Sequence, residues 1–185
     1  GVVSGDLVVN GKSTKLSGSG YHDHNWGNTP LQYLFDDWVW FRGEIEDKTI
    51  VAAVLYMTDK RGGYDVPILY IADSSKVHVN KFGEDGLYTK KSTRITDLYN
   101  KHNEPLFREL DMITEDGFRV NIIGNSVIDN SNLFKRGRMP YPIRLAMGAA
   151  KIDPFYTRFD SEMSLSIDGK APKTGFGVFE IMDLK

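Results

Sequence analysis

The sequence predicts an all-β fold, an antiparallel up-and-down barrel of roughly eight to ten strands with little helix. Three observations point there. Short runs of alternating apolar and polar residues follow one another through nearly the whole chain. Tight-turn dipeptides, Asn10-Gly11, Asp116-Gly117 and Asp168-Gly169, stand between them. Nowhere does a strand-like run alternate regularly with a helical one, as a parallel sheet would require.

The elements follow in order. Val3 to Val9 reads as a strand, Asn10-Gly11 as its hairpin turn, and Lys12 to Leu16 as the return strand. Ser17-Gly18-Ser19-Gly20 loosens the chain before a segment rich in imidazole and aromatic groups. Trp38 to Ile45 and Thr49 to Met57 form the next pair, turning at Asp47-Lys48. Lys60-Arg61-Gly62-Gly63 leads into Tyr64 to Ala72, and Ser74-Ser75 into the cleanly alternating Lys76 to Phe82. Ile95 to Lys101 reads as a turn or short helix. Phe107 to Ile113 and Phe118 to Ile128 flank the turn at Asp116-Gly117. Asp129 to Pro142 is polar and reads as a long loop, and Leu145 to Ala150 as a short helix. Tyr156 to Ile167 and Gly175 to Met182 close the chain around Asp168-Gly169.

With 185 residues and no low-complexity linker, one domain over 1–185 is expected. Gly1 in place of Met, followed at once by a strand, fits either an excised piece of a longer chain or a tag remnant. The net charge of −2 lacks the basic excess of a nucleic-acid binder. No cysteine is present, which removes thiolate catalysis and thiolate-bound metals. No apolar run approaches the ~20 residues that span a bilayer. The location is not fixed by the sequence; a cytoplasmic or membrane-peripheral one is favoured. The run Lys135-Arg136-Gly137-Arg138 reads first as a solvated loop and second as a contact for anionic headgroups at a membrane surface. Aromatic residues are abundant at 12%, enough to line an apolar cavity or to fill a solid core.

One segment concentrates chemistry. Tyr21-His22-Asp23-His24-Asn25-Trp26 holds two imidazoles, a carboxylate, a phenol and an indole. If extended, it sets His22, His24 and Trp26 on one face and Tyr21, Asp23 and Asn25 on the other. Three readings are open. His-x-His presents two ligands to a metal, with His78, His102 or a carboxylate as the third. A carboxyl or imidazole in an apolar site can act in acid–base chemistry, with Trp26, Trp38 and Trp40 sheltering a cation by their π faces. Polar groups at a barrel end can also simply lock loops in place.

The run Gly18-x-Gly20-Tyr21-His22-Asp23-His24-Asn25-Trp26-Gly27 resembles the signature of the carotenoid 1,2-hydratase (hydroxyneurosporene synthase) and AttH-like family. Trp38-x-Trp40 downstream and Gly175-x-Gly177-x-x-Glu180 near the end are similar in pattern. The resemblance implies a lipocalin-like (calycin) barrel and one lobe of a protein that usually carries two. It implies cofactor-independent chemistry with no metal, in which His24 and Trp26 matter most, beside Asp23 and His22. It further implies a Tyr and an Asp on a downstream strand, for which Tyr56 and Asp59 are the nearest candidates and Tyr64 and Asp65 the reserve.

Three functions follow as expectations. The first is acid-catalysed hydration or cyclisation of an isoprenoid-like alkene in an aromatic-lined barrel cavity, with Asp23 or Asp59 as proton donor and Tyr21, Trp26, Trp38 and Trp40 around the substrate. The second is non-catalytic binding of an apolar small molecule. The third is a structural lobe whose interior is filled by its own side chains. A second lipocalin-like lobe or a homo-oligomer is the expected protein partner.

Overall fold

A computed structural model describes residues 1–91, 94–99, 105–132, 140–149 and 154–184. β1 (Val2–Val9) and β2 (Lys12–Ser19) form a separate hairpin. Asn10 and Gly11 hold φ values of 50° and 78°, the left-handed pair that a two-residue type I′ turn demands. The main sheet uses β3 (Phe35–Ile45), β4 (Lys48–Met57), β5 (Asp65–Ala72), β6 (Val77–Phe82) and β7 (Leu87–Lys91). It continues with β10 (Glu109–Thr114), β11 (Phe118–Asn132), β12 (Phe155–Ile167) and β13 (Lys173–Asp183). Between them, β8 (Arg94–Tyr99) pairs with β9 (Pro105–Phe107), and α1 spans Tyr141–Ala149.

The nine strands are ordered β6-β5-β4-β3-β13-β12-β11-β10-β7, every neighbouring pair antiparallel. The last strand therefore pairs with the first of the barrel, and β7 comes against β5 to bring the two edges together. The sheet is a nearly closed antiparallel barrel, as the alternation and turns predict.

Its interior is packed. Val39, Phe41 and Ile45 of β3 meet Ile50, Ala52 and Val54 of β4, Phe159 and Met163 of β12, and Phe179 and Ile181 of β13. Phe41, Phe159 and Phe179 are wholly buried, and the last two rings lie 6.1 Å apart. Each such ring contributes on the order of 1.5–3 kcal/mol of apolar burial.

Several elements differ from the sequence-based expectation. Residues 95–99 belong to strand β8, where Ile95, Thr96 and Tyr99 supply β-formers, rather than to a turn or helix. β11 runs on to Asn132, although its last residues are polar, because β12 pairs with it up to Asn132 and Phe155 across two bulges. α1 starts at Tyr141, with Pro142 tolerated in its first turn. The β3–β4 turn is Glu46-Asp47, with Glu46 at φ 53°, so Lys48 already belongs to β4. β7 was not anticipated. Residues 135–138 of the basic run and His102 lie outside the described residues. No helix among the described residues is long and apolar enough to cross a membrane.

Candidate functional site

Alternation along β3 decides where the site lies. Val39 and Phe41 point into the core, so Trp38, Trp40 and Arg42 point out of the barrel. Leu55 of β4 and Ile68 of β5 share that outer face, as does Glu180 of β13, which is in register with Trp40. Over this patch runs the 21–27 segment, which is irregular chain and not a strand. Together they enclose a cavity of about 630 Å³. Trp38, Trp40, Leu55 and Ile68 line it from the barrel wall, and Tyr21, His22, Asp23 and Asn25 from the segment. An aromatic-lined cavity exists, then, but against the outside of the barrel wall. The inside is occupied by the core.

The polar groups form a connected chain. The Tyr21 hydroxyl donates to Asp23 Oδ2 at 3.2 Å, and the Arg42 guanidinium sits 5.7 Å from the Tyr21 ring centre, in cation–π range. Arg42 Nη1 donates to Glu180 Oε1 at 2.9 Å, with side-chain exposures of 29% and 14%. Glu180 also accepts from the Tyr156 hydroxyl, and Arg158 lies 5.9 Å from the Tyr156 ring. Partial burial, reinforced by Asp23, pushes the Tyr21 phenol up to about 12. Burial and Glu180 push Tyr156 up as well. Both phenols therefore keep their protons at neutral pH and act as hydrogen-bond donors.

Glycine allows the polar pair to form. A side chain at Gly177 would run into the Arg42 carbonyl and the Phe41 ring, and one at Gly43 into the Phe176 carbonyl. The two bare backbones let β3 and β13 close up beside Arg42 and Glu180. Ser161 Oγ further fixes the Gly177 carbonyl at 2.9 Å.

The predicted site residues separate into groups. Tyr21, His22 and Asp23 line the cavity together with Trp38 and Trp40. His24 and Trp26 pack on each other, 5.7 Å between ring centres, outside the cavity lining, and Trp26 is 87% exposed. Tyr56 faces inward, packed against the core, and its phenol is pushed up by burial, then by Asp37 and Asp65. Asp59 opens the exposed 3₁₀ turn Asp59–Arg61 and does not line the cavity. The reserve residues Tyr64 and Asp65 line a second cavity of about 350 Å³, which shares Phe35 and Leu55 with the first. His78 is held by the Asp73 carboxylate at 2.5 Å. Among the described residues no three His, Asp or Glu side chains converge as a metal site would require.

Arg42, Leu55 and Ile68 carry no reading in the sequence analysis, and Glu180 enters there only as the last residue of Gly175-x-Gly177-x-x-Glu180. Arg42 carries a signal, since it continues the two-residue period of Trp38 and Trp40. The other three join the site only through strand register.

No protein-family model matches the chain. It is similar to the quinolone epoxide rearrangement protein asqO of Emericella nidulans, 36% identical over 50 residues, which is 27% of this chain and 14% of that protein. It is likewise similar to the quinolone epoxide rearrangement protein penF of Penicillium thymicola, 35% identical over 46 residues, 25% of this chain and 13% of that protein. Among solved structures, CghA with Sch210972 aligns over the whole chain at a TM-score of 0.59 and 10% identity. Kievitone hydratase from Nectria haematococca aligns over 97% of it at 0.50 and 10% identity. An AttH-like protein from Nitrosomonas europaea aligns over the same share at 0.50 and 14% identity. The fold is the lipocalin-like one of these AttH and CghA proteins. The chain spans about half the length of those solved chains, 52%, 49% and 48% respectively. In this lipocalin-like barrel, the cavity opens on the outer wall of β3, β4 and β13.

Proposed function

We propose that this chain carries the motif-bearing lobe of a cofactor-independent catalyst of hydration, cyclisation or epoxide rearrangement on an apolar, isoprenoid-like small molecule. The observation that carries the reading is the cavity itself. It sets a carboxyl, a phenol and an imidazole of one segment opposite two indole faces. Asp23, in its protonated form, is the proton donor, oriented by the Tyr21 hydroxyl bonded to it. Its proton goes to an alkene carbon or an epoxide oxygen. The positive charge that forms at carbon is sheltered by Trp38 and Trp40. In hydration, a water positioned by His22 adds to that carbon and returns a proton to Asp23, so the net change is addition of water alone. In cyclisation or rearrangement, a bond migrates instead and the same carboxylate recovers the proton. His24 and Trp26 support the segment from outside the cavity.

The solved relatives are about twice the length of this chain, and a second lipocalin-like lobe is part of this proposal. The names of the curated and solved relatives, epoxide rearrangement proteins and a hydratase, support the reaction class.

The test is incubation of the protein with lycopene or neurosporene, with an isoprenoid alkenol that carries a terminal hydroxyl, and separately with an aryl-substituted epoxide, followed by mass analysis of the products. A product heavier by one water, or an isomer of the epoxide, is expected, and Asp23→Asn should lower its rate of formation by at least about a hundredfold. A folded protein inert toward both classes overturns the reading.

A second reading, binding of an apolar molecule without turnover, is favoured by the exposure of Asp23 and the mostly apolar cavity wall. It predicts saturable binding that Asp23→Asn leaves intact.

A further inference from the structure

The two cavities on the outer wall differ in character and meet at one place. In the larger one, the polar groups gather at the Arg42 end, where Tyr21 stacks under the guanidinium and Glu180 and Asp23 adjoin. Moving along β3 from Arg42, the outward residues become Trp40, Trp38 and then Phe35, with Phe35 edge-on to Trp38 at 6.4 Å. Leu55 pairs in register with Trp38. Beyond Phe35 and Leu55 the second cavity begins, walled mainly by the apolar Met57, Val66 and Phe82 with Tyr64, and with the carboxylates of Asp65 and Glu84 also in its lining. Phe82 is 63% and Tyr64 55% exposed, so both present apolar surface at its mouth. At the spacing of an extended strand, the path from Arg42 to Phe35 is roughly 20 Å.

We infer that the second cavity is a tail subsite, and that the ligand is an elongated apolar molecule with one polar, hydrogen-bonding head. The head sits at the Arg42–Tyr21 end. The body lies over Trp40 and Trp38. The tail crosses the sill made by Phe35 and Leu55 and ends against Met57, Val66 and Phe82. The sill and the second cavity set the length of molecule accepted. A compact ligand would leave the second cavity unused, and a headless hydrocarbon would make no hydrogen bond to the polar groups at the Arg42 end. This deepens the proposed function by naming the ligand shape for the same cavity.

The experiment titrates the whole chain with straight-chain primary alcohols (hexanol, octanol, decanol, dodecanol) and with dodecane, following binding calorimetrically. Affinity should rise by up to about fourfold per added methylene across the series, and dodecane should bind at least tenfold more weakly than dodecanol. Phe82→Ala, on an exposed ring, should weaken dodecanol at least threefold and leave hexanol unchanged. Leu55→Trp should raise the sill and flatten the series beyond octanol, and Tyr64→Ala repeats the Phe82 test at a second exposed site. A series flat from hexanol onward overturns the inference, as does a Phe82→Ala effect that is absent or equal for both alcohols. Dodecane binding as tightly as dodecanol overturns the head assignment. Products in the turnover assay with a flat alcohol series would remove the tail subsite and leave the proposed reaction standing. A rising series without any product would do the reverse.

Discussion

The two faces of β3 do different work with adjacent residues. Inward, Val39, Phe41 and Ile45 are nearly or wholly buried in a core shared by strands from β3 to β13. Outward, Trp38, Trp40 and Arg42 are only half-buried and floor a cavity. A one-residue slip of register would exchange them. The barrel is stabilised by one set and offers its chemistry with the other. The aromatic residues are thus divided: Phe41, Phe159 and Phe179 fill the interior, while Trp38 and Trp40, with Phe35 and Phe82, face outward.

Mutation can break that comparison. Phe41→Ala should cost about 3–5 kcal/mol of stability, because the ring is wholly buried and its neighbours cannot collapse into the space. A denaturant midpoint shift measures it. Trp40→Ala, one residue away, should cost much less in stability and should instead weaken ligand binding, read by titration with dodecanol. Equal losses of stability at both positions would mean that the outer face is also core.

The next largest effect concerns chemistry. Asp23→Asn should lower turnover by about 10²–10⁴-fold, the range for removing a positioned general acid, with little change in melting temperature because the residue is exposed. Tyr21→Phe keeps the ring under Arg42 but removes the donor to Asp23, and should lower turnover by a smaller factor. If Tyr21→Phe matches Asp23→Asn, the phenol and not the carboxyl is the acid.

Much of this was legible in the sequence, and the reasons are specific. Asn10-Gly11 and Asp168-Gly169 name their turns because few other residues accept positive φ. The Trp38-Val39-Trp40-Phe41 alternation gives the strand and its two faces, but not which face is inside. That depends on closure of the barrel, hence on β13 pairing with β3 across most of the chain. Glu180 enters the site by the same long-range register, opposite Trp40. The 21–27 segment shows the opposite case. Its composition marks it as chemically unusual, yet as irregular chain it does not obey alternation, and His22 lines the cavity while His24 and Trp26 do not. The resemblance implies a Tyr and an Asp on one downstream strand, with Tyr56 and Asp59 the nearest candidates; β4 turns Tyr56 inward and ends before Asp59.

A smaller effect is expected at the outer polar pair. Glu180→Gln leaves Arg42 without its anionic partner in a half-buried site. Stability should fall by roughly 1–2 kcal/mol, between the limits for exposed and buried pairs. The same change removes an acceptor charge from Tyr156. If stability is unchanged but alcohol affinity drops, the pair orients Arg42 toward a ligand rather than holding β3 to β13.

The smallest predicted effect separates the faces by pH. Tyr56 inside and Tyr21 outside both have folded pKa values raised above the ordinary tyrosine value of 10.0, Tyr21 to about 12. A raised value means that the folded state holds its proton where the unfolded chain has released it. The stabilisation is therefore fully present below about pH 10 and is lost as pH rises through the folded values. Alkaline unfolding should begin near pH 10 and steepen beyond it. Tyr56→Phe should remove more of that slope than Tyr21→Phe, because Tyr56 is the more deeply buried and Tyr21 contributes only up to about pH 12, with Tyr156 supplying a further share that neither change removes. Unfolding free energies at a series of pH values from eight to twelve measure both. A Tyr21→Phe protein that gains more alkaline resistance than Tyr56→Phe would place the more strongly desolvated phenol on the outer wall, and would reverse the assignment of the packed side to the barrel interior.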